Sequence, residues 1–323
     1  MNDQIADRIR GTILCAACAN SLGGTCLGMN RKEIMFAVGI RGVRNYTAAL
    51  PKSLIPDLVP GSLLSDTLLA QQLAQSLIVN KGSLDAEDLK ERFARLLASE
   101  EFLKAAPGAH CLLPLRRLAD GADDGEFAEA DSTHVNAASR SYPAGCLPPT
   151  ADIVNIATAQ ARLSHADSRV WAAAAVIAHS VSSFVGGARL DSGEEVRNYV
   201  MTAYEVAARI DARFAESWDD VAPDLDYTSP ADDLPYSLIN VDSHVNEAVP
   251  TAAGIFLIFR HDLEEAVCAA ASAGGDTDSV AAIVGALSGA YHGASAIPER
   301  WLKPLSHRED LEAVADGLIR LWS

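Results

Sequence analysis

The stretch Ala273-Gly274-Gly275-Asp276-Thr277-Asp278-Ser279 opens a run, Val280 to Tyr291, that contains no charged residue. Adjacent glycines permit a tight turn that a Cβ would obstruct. An apolar run of this length without a polar face reads as a buried helix. Gly285, Gly289 and Gly293 recur every fourth residue, leaving one smooth face on which a second backbone can lie close. The chain is therefore read as built on a buried helix that begins in a cluster of oxygen-bearing side chains.

Two carboxylates at the start of such a helix have two readings. Asp276 can cap the helix, accepting backbone N–H groups where the dipole favours negative charge, which stabilises by about 0.5–2 kcal/mol. A second Asp two residues on, beside Thr277 and Ser279, supplies more hard oxygen ligands than a cap requires. Like charges held close in a poorly solvated place repel, and a divalent cation relieves that repulsion. Both readings stand on the residues alone.

The sequence Gly274-Gly275-Asp276-Thr277-Asp278-Ser279-Val280-Ala281-Ala282-Ile283, with Gly285-Ala286-Leu287-Ser288-Gly289-Ala290-Tyr291, resembles the C-terminal signature of the ADP-ribosylglycohydrolase family. Ala296-Ile297-Pro298-Glu299-Arg300-Trp301-Leu302 is similar to the segment that follows it there. The resemblance implies a compact, all-α, multi-helix orthogonal bundle, with the magnesium pair of the family in a central cleft, formed by residues 1–323 as one domain. It implies hydrolysis of the glycosidic bond between ADP-ribose, or a related ribosyl group, and its acceptor. The acceptor would be an ADP-ribosylated protein or a small ribosyl glycoside.

The same resemblance points to Leu64-Ser65-Asp66-Thr67 as the other half of the metal site, where family members commonly carry Thr-Asp-Asp-Thr. Asp66 and Thr67 match; Ser65 stands for a carboxylate. Ala19-Asn20-Ser21-Leu22-Gly23 lies where a Gly-Asp-Ala-Leu-Gly element is usual, so an amide replaces another acid. Thr25-Cys26-Leu27-Gly28 lacks the Glu expected shortly afterwards. The expected metal ligands are Asp66, Asp276, Asp278, Ser279 and Thr67, for one Mg2+ rather than two, since the missing carboxylates leave less charge for a second ion. Asp66 or Asp278 would be the catalytic base. His165, in Leu163-Ser164-His165, together with Gly274, Gly275 and Ser65, would contact substrate. The alternative is an altered member that binds ADP-ribose without turnover, or that cleaves a different ribosyl N-glycoside.

Composition bounds these readings. The chain has 323 residues, is 49% hydrophobic and carries a formal charge of −17, which argues against nucleic acid as a partner. Six cysteines are scattered, and the close pair Cys15 and Cys18 sits in an Ala-rich helical stretch without a neighbouring His, so core packing in a reducing compartment is expected. No span reaches the roughly 20 apolar residues of a membrane helix, and a cytoplasmic location follows as the expectation. The common nucleotide-binding, kinase, serine-hydrolase and zinc-protease motifs are absent.

Helices are expected over 3–22, ended by Gly23 and Gly24, and over 62–79, 83–99, 152–163, 167–184, 194–214, 243–260, 262–271 and 309–321. Residues 39–60, 107–149 and 219–235 read as loops, and the second of these, with its acidic patch from Asp120 to Asp131, as a candidate cleft lid. Arg31, Lys32, Arg41 and Arg44 form a local basic concentration. It is either solvated surface or a phosphate contact at the cleft rim.

Overall fold

The protein is described here from a computed structural model covering residues 2–105, 107–121, 132–218 and 234–323. In chain order its first helices are α1 (Asp3–Gly24), α2 (Arg31–Val38), α3 (Ser65–Val79), α4 (Ala86–Leu97), α5 (Glu100–Lys104), α6 (Ala109–Ala119), α7 (Asn136–Ser139) and α8 (Ile153–Arg162). They are followed by α9 (Ser168–Val185), α10 (Gly193–Ala208), α11 (Ala212–Glu216), α12 (Val245–Ile258), α13 (Leu263–Ala271), α14 (Thr277–His292), α15 (Glu299–Leu302) and α16 (Arg308–Arg320). Among the described residues the extended pairings are two isolated bridges, His134 with His244 and Val241 with Gly275. The architecture is all-α. No helix of the described residues is long and apolar enough to cross a membrane.

The centre is the pair α1 and α14, the most extensively packed helices in the molecule. Every residue of α14 from Thr277 to Tyr291 is buried, as is every residue of α1 from Gly11 to Gly24. Glycine makes the approach possible. A Cβ at Gly11 would overlap the Gly289 carbonyl oxygen, and one at Gly289 would overlap that of Gly11. Gly285 meets Cys15 in the same way, and Gly23 meets Thr277. The Ala-rich α9 and helices α12 and α13 pack around α14. One hydrophobic cluster runs from Ala6 to Ile319.

Several boundaries differ from the sequence reading, for identifiable reasons. Gly23 and Gly24 do not stop α1 but form its last turn, because Gly23 is needed for contact with α14 rather than as a terminator. The helix expected from residue 62 starts at Ser65, after Leu64 in extended conformation. The single helix expected over 194–214 is two, α10 and α11, since Asp211 turns to accept the amides of Arg213 and Phe214 and restarts the helix. The loop expected over 107–149 holds α6, with Pro114 inside it, and α7. Most of the expected acidic patch, from residue 122 onward, and most of the loop expected over 219–235 lie outside the described residues. Cys15 and Cys18 are buried free thiols, and burial pushes Cys18 up to about 12, as for core residues.

Candidate active site

Four chain segments converge where α1 ends and α14 begins. The turn before α14 is fixed by backbone crossing. Gly275 donates to the Met29 carbonyl at 2.8 Å and accepts from Gly28 at 2.9 Å, while Asp276 N–H donates to the Val241 carbonyl at 3.0 Å. Gly274 and Gly275 have φ of 89° and 83°, a region that other residues enter only with strain. A Cβ at Gly274 would run into Asn240 Oδ1, and one at Gly275 into the Val241 carbonyl. These two glycines therefore place Asp276 through packing, and Gly275 also reaches the cavity beyond.

That cavity measures about 660 Å3 and is lined by Ser65, His134, Asn136, Asp276, Asp278 and Ser279, with Leu27, Leu54 and the 240–243 segment among its walls. Its size suits a nucleotide-sized ligand. Asp276 occupies the N-cap position of α14, yet its side chain makes no capping bond. The capping reading is thereby overturned. Asp276 Oδ2 and Asp278 Oδ1 are buried carboxyl oxygens that no other group donates to, the two carboxyls facing each other, while the His134 and Asn136 side chains lie in hydrogen-bonding reach of one another. Buried polar groups are nearly always satisfied, so two carboxyl oxygens that no other group donates to, on the wall of one cavity, mark a ligand site.

Asp66 contrasts with this pair. It is fully buried and does not line the cavity. Its Oδ1 accepts from Ser139 Oγ at 2.7 Å and Asn136 Nδ2 at 3.2 Å. Its Oδ2 accepts from Asn20 Nδ2 and Ser279 Oγ, each at 3.2 Å. A carboxylate offers about four lone-pair sites, and all are taken. Asn20 further donates to the Asp278 carbonyl at 3.2 Å and accepts from Thr67 Oγ1 at 2.9 Å.

Burial raises the Asp278 carboxyl well above its ordinary range, and repulsion from Asp276 and then Asp66 adds to it. Asp276 is raised too, again chiefly by burial, with Asp278 and His134 acting in the opposite direction. His134 is held below the usual imidazole value by burial, partly offset by Asp276. Its ring stacks on that of His110, with centroids 5.0 Å apart and planes inclined by 20°.

Of the residues named from sequence, Asp276, Asp278, Ser279, Ser65 and Gly275 line the cavity. Asp66 and Thr67 lie behind it in the Asn20 network. Gly274 supports the turn. His165 is buried outside the lining, its Nδ1 beside Ser164 Oγ at 2.9 Å and its Nε2 unpaired. Arg44 is engaged by Glu264 and Glu265, and Arg31 donates to the Ser272 carbonyl, so neither faces the cavity. Sequence reasoning missed His134, Asn136 and Ser139. Their segment, Thr133 to Arg140, carries no periodic signal, and only its proximity to Asp66 in space reveals it.

The donor set can be tested against the cation expected from sequence. No cluster of three or more His, Cys, Asp or Glu side chains suited to a metal occurs among the described residues. The two orphaned carboxylate oxygens nevertheless suit a hard cation, which takes oxygen ligands and keeps several waters.

The ADP-ribosylglycohydrolase family model matches residues 1–323. The ADP-ribosyl-(dinitrogen reductase) glycohydrolase of Rhodospirillum rubrum is 26% identical over 328 residues, covering 98% of this chain and 97% of that protein. An uncharacterized protein of Archaeoglobus fulgidus is 30% identical over 322 residues, covering 98% and 97%. The ADP-ribosylhydrolase ARH3 of Homo sapiens is 24% identical over 359 residues, covering 98% and 93%. A solved structure described as an ADP-ribosylglycohydrolase-related protein complex superposes with a TM-score of 0.74 at 24% identity over 100% of both chains, which is a likeness of fold.

Proposed function

From the premise that the chain belongs to the ADP-ribosylglycohydrolase family, and is thus a glycosidase, we propose that it hydrolyses the bond between the ribose C1″ of ADP-ribose, or a related ribosyl group, and its acceptor, with one Mg2+ at Asp276 and Asp278. The observation that carries the reading is the pair of orphaned oxygens, Asp276 Oδ2 and Asp278 Oδ1, on a cavity of about 660 Å3.

Asp276 and Asp278 would hold the ion, with the hydroxyls of Ser65 and Ser279 near it on the same cavity. When bound, the ion would supply electrostatic orientation of the ribose hydroxyls and of the attacking water. Asp278 would accept a proton from that water, since its carboxyl meets the cavity. Asp66 is withdrawn from this role by its four hydrogen bonds and its burial. Its part is to position Ser279 and, through Asn20, the start of α14. The partner class is an ADP-ribosylated protein or a small ribosyl glycoside.

The test is release of free ADP-ribose from ADP-ribosyl-arginine and ADP-ribosyl-serine peptides, with magnesium and with EDTA, alongside Asp276→Ala. Magnesium-dependent release that the substitution abolishes supports the reading and names the acceptor. No release from either peptide, with ADP-ribose still raising the melting temperature, would point instead to a different ribosyl glycoside. Neither turnover nor binding would remove ADP-ribose from the account.

A further inference from the structure

We infer that Phe36, Ile40 and Leu54 form a docking surface at the rim of the cavity, and that it takes apolar and acidic residues flanking the modified side chain of a protein substrate. The inference rests on the glycosidase reading above and chooses between the two acceptor classes which that reading leaves open. Four of the eight large apolar side chains exposed among the described residues, Phe36, Ile40, Leu54 and Val59, fall within 24 residues of chain. Phe36 is 93% exposed, Ile40 90% and Leu54 71%. Single exposed apolar side chains are ordinary. A concentration of them beside a ligand cavity marks an interaction surface.

The surface is continuous with the cavity. Leu54 is itself part of the cavity wall, and its N–H donates to the carbonyl of Leu27, another wall residue, at 2.9 Å. Helix α2 starts at the same wall: the Arg31 N–H donates to Asn240 Oδ1 at 2.6 Å, and Asn240 lines the cavity. Lys52 pairs with Glu33 and so ties the Leu54 loop to the first turn of α2. Ile34 and Val38 pack on the core, which turns Phe36 to the opposite side of the helix. Phe36 stands about 8 Å along the helix from Arg31, a length that two or three residues of extended peptide cover.

An ADP-ribosyl group held in the cavity leaves its acceptor at the mouth, so the acceptor is what meets this surface. A small glycoside ends there, whereas a protein continues across it. Charge supplies the second criterion. Residues 31–57 carry five cations against two acids, in a chain whose formal charge is −17. Lys32 and Arg41, beside Phe36 and Ile40 in sequence, are exposed and form no ion pair among the described residues. Cations around exposed apolar groups fit apolar residues interspersed with acidic ones. Glu33 and Asp57 within the segment, and the negative charge of the whole chain, weigh against an anionic membrane as the occupant.

The experiment uses the full-length chain and two sets of ADP-ribosyl peptides, on arginine and on serine. In one set the modified residue is flanked by Leu, Phe and Asp, in the other by Gly and Ser. The expected result is a kcat/KM at least tenfold higher for the apolar and acidic flanks, carried by KM. The double variant Phe36→Ser, Ile40→Ser should bring the ratio between the two sets close to one, and Lys32→Glu should lower it. Both apolar side chains are exposed, so their loss removes no core contact, and circular dichroism checks the fold. Equal kcat/KM for the two sets in the parent, or a preference that survives in the double variant, would overturn the inference. So would a dimer, or binding to vesicles of phosphatidylcholine and phosphatidylglycerol, that the double variant abolishes, since either assigns the surface to another occupant. Calorimetry with the same peptides separates this inference from the glycosidase reading. Hydrolysis without flank preference leaves the hydrolase and removes the surface. Flank-dependent binding without hydrolysis leaves the surface and removes the hydrolase.

Discussion

Asn20 Nδ2 stands 3.2 Å from Asp66 Oδ2 and 3.2 Å from the Asp278 carbonyl oxygen, so one buried amide joins the start of α3 to the start of α14. Its Oδ1 accepts from Thr67, which leaves the amide satisfied at both ends.

Replacing that amide by a carboxylate tests how the site is neutralised. Asn20→Asp removes a donor from Asp66 and places a second anion against it, within a region where charge is poorly screened. In EDTA the variant should lose about 2–3 kcal/mol of stability, the cost of leaving buried acceptors unpaired. Added Mn2+ should restore much of it, because a cation can then sit between the two acids. Asn20→Ala should lose a similar amount with no such recovery. Melting curves with and without Mn2+ check both; equal metal responses in the two variants would remove the argument.

The raised Asp276 and Asp278 carboxyls make stability depend on pH in a defined direction. A carboxyl raised in the folded state binds its proton more tightly there than in the unfolded chain, where it sits near 3.9. Its stabilising contribution is therefore full below that value and is lost as pH rises through the folded value. Asp278→Asn removes the larger of the two penalties. In EDTA it should raise the melting temperature at neutral pH and leave it nearly unchanged near pH 3.5, while abolishing ADP-ribose release. A variant less stable than the parent at neutral pH would contradict the assigned repulsion.

His134 gives a prediction that separates binding from chemistry. Burial holds its imidazole below the usual value, and its ring lines the cavity within hydrogen-bonding reach of Asn136. With His110 the ring offers a substrate a stacked face on the cavity wall. His134→Ala should raise KM about tenfold, close to 1.4 kcal/mol, with kcat changed little. The increase should be the same at pH 7 and pH 8. A fall in kcat with KM unaltered would assign the histidine to the chemical step instead.

Much of this was legible in the sequence because it depends on local pattern. The apolar run after Ser279 announced α14, and the fourfold spacing of Gly285, Gly289 and Gly293 announced a close helix partner; α1 proved to be that partner. Asp276 and Asp278 stood out because two acids precede a chargeless helix. Asp66 was found only by family resemblance, and its neighbours were not found at all. Asn136 and Ser139 sit 70 and 73 residues from it in the chain, and an Asn or Ser in an irregular segment is ordinarily a turn residue. Nothing local distinguishes one that turns to solvent from one that fills a lone pair of a distant carboxylate. The short helices missed between 107 and 149 failed for a different reason: Pro114 and Pro143 suggested breakage, whereas Pro114 sits inside α6 and Pro143 is the second residue of a 3-10 turn, Tyr142–Cys146.

The last prediction joins the fold to the site. Gly289 and Gly11 face each other so closely that a Cβ on either would overlap the other's carbonyl oxygen. Backbone cannot yield as a flexible side chain can, so Gly289→Ala must push α1 and α14 apart. Overpacking of this kind costs about 1–3 kcal/mol, against a slight gain in helix propensity. Gly39→Ala is the control: its φ of 87° and ψ of 171° are almost reserved for glycine, but nothing lies within 4 Å of the added Cβ, so only backbone strain of about 1–3 kcal/mol applies. Urea unfolding should show a loss for both. Only Gly289→Ala should also weaken Mn2+ binding, because Asn20 travels with α1 and Asp278 with α14, and the amide spanning them tolerates little displacement. Equal Mn2+ affinity in the two variants, at comparable losses of stability, would show that the helix pair supports the fold without setting the site.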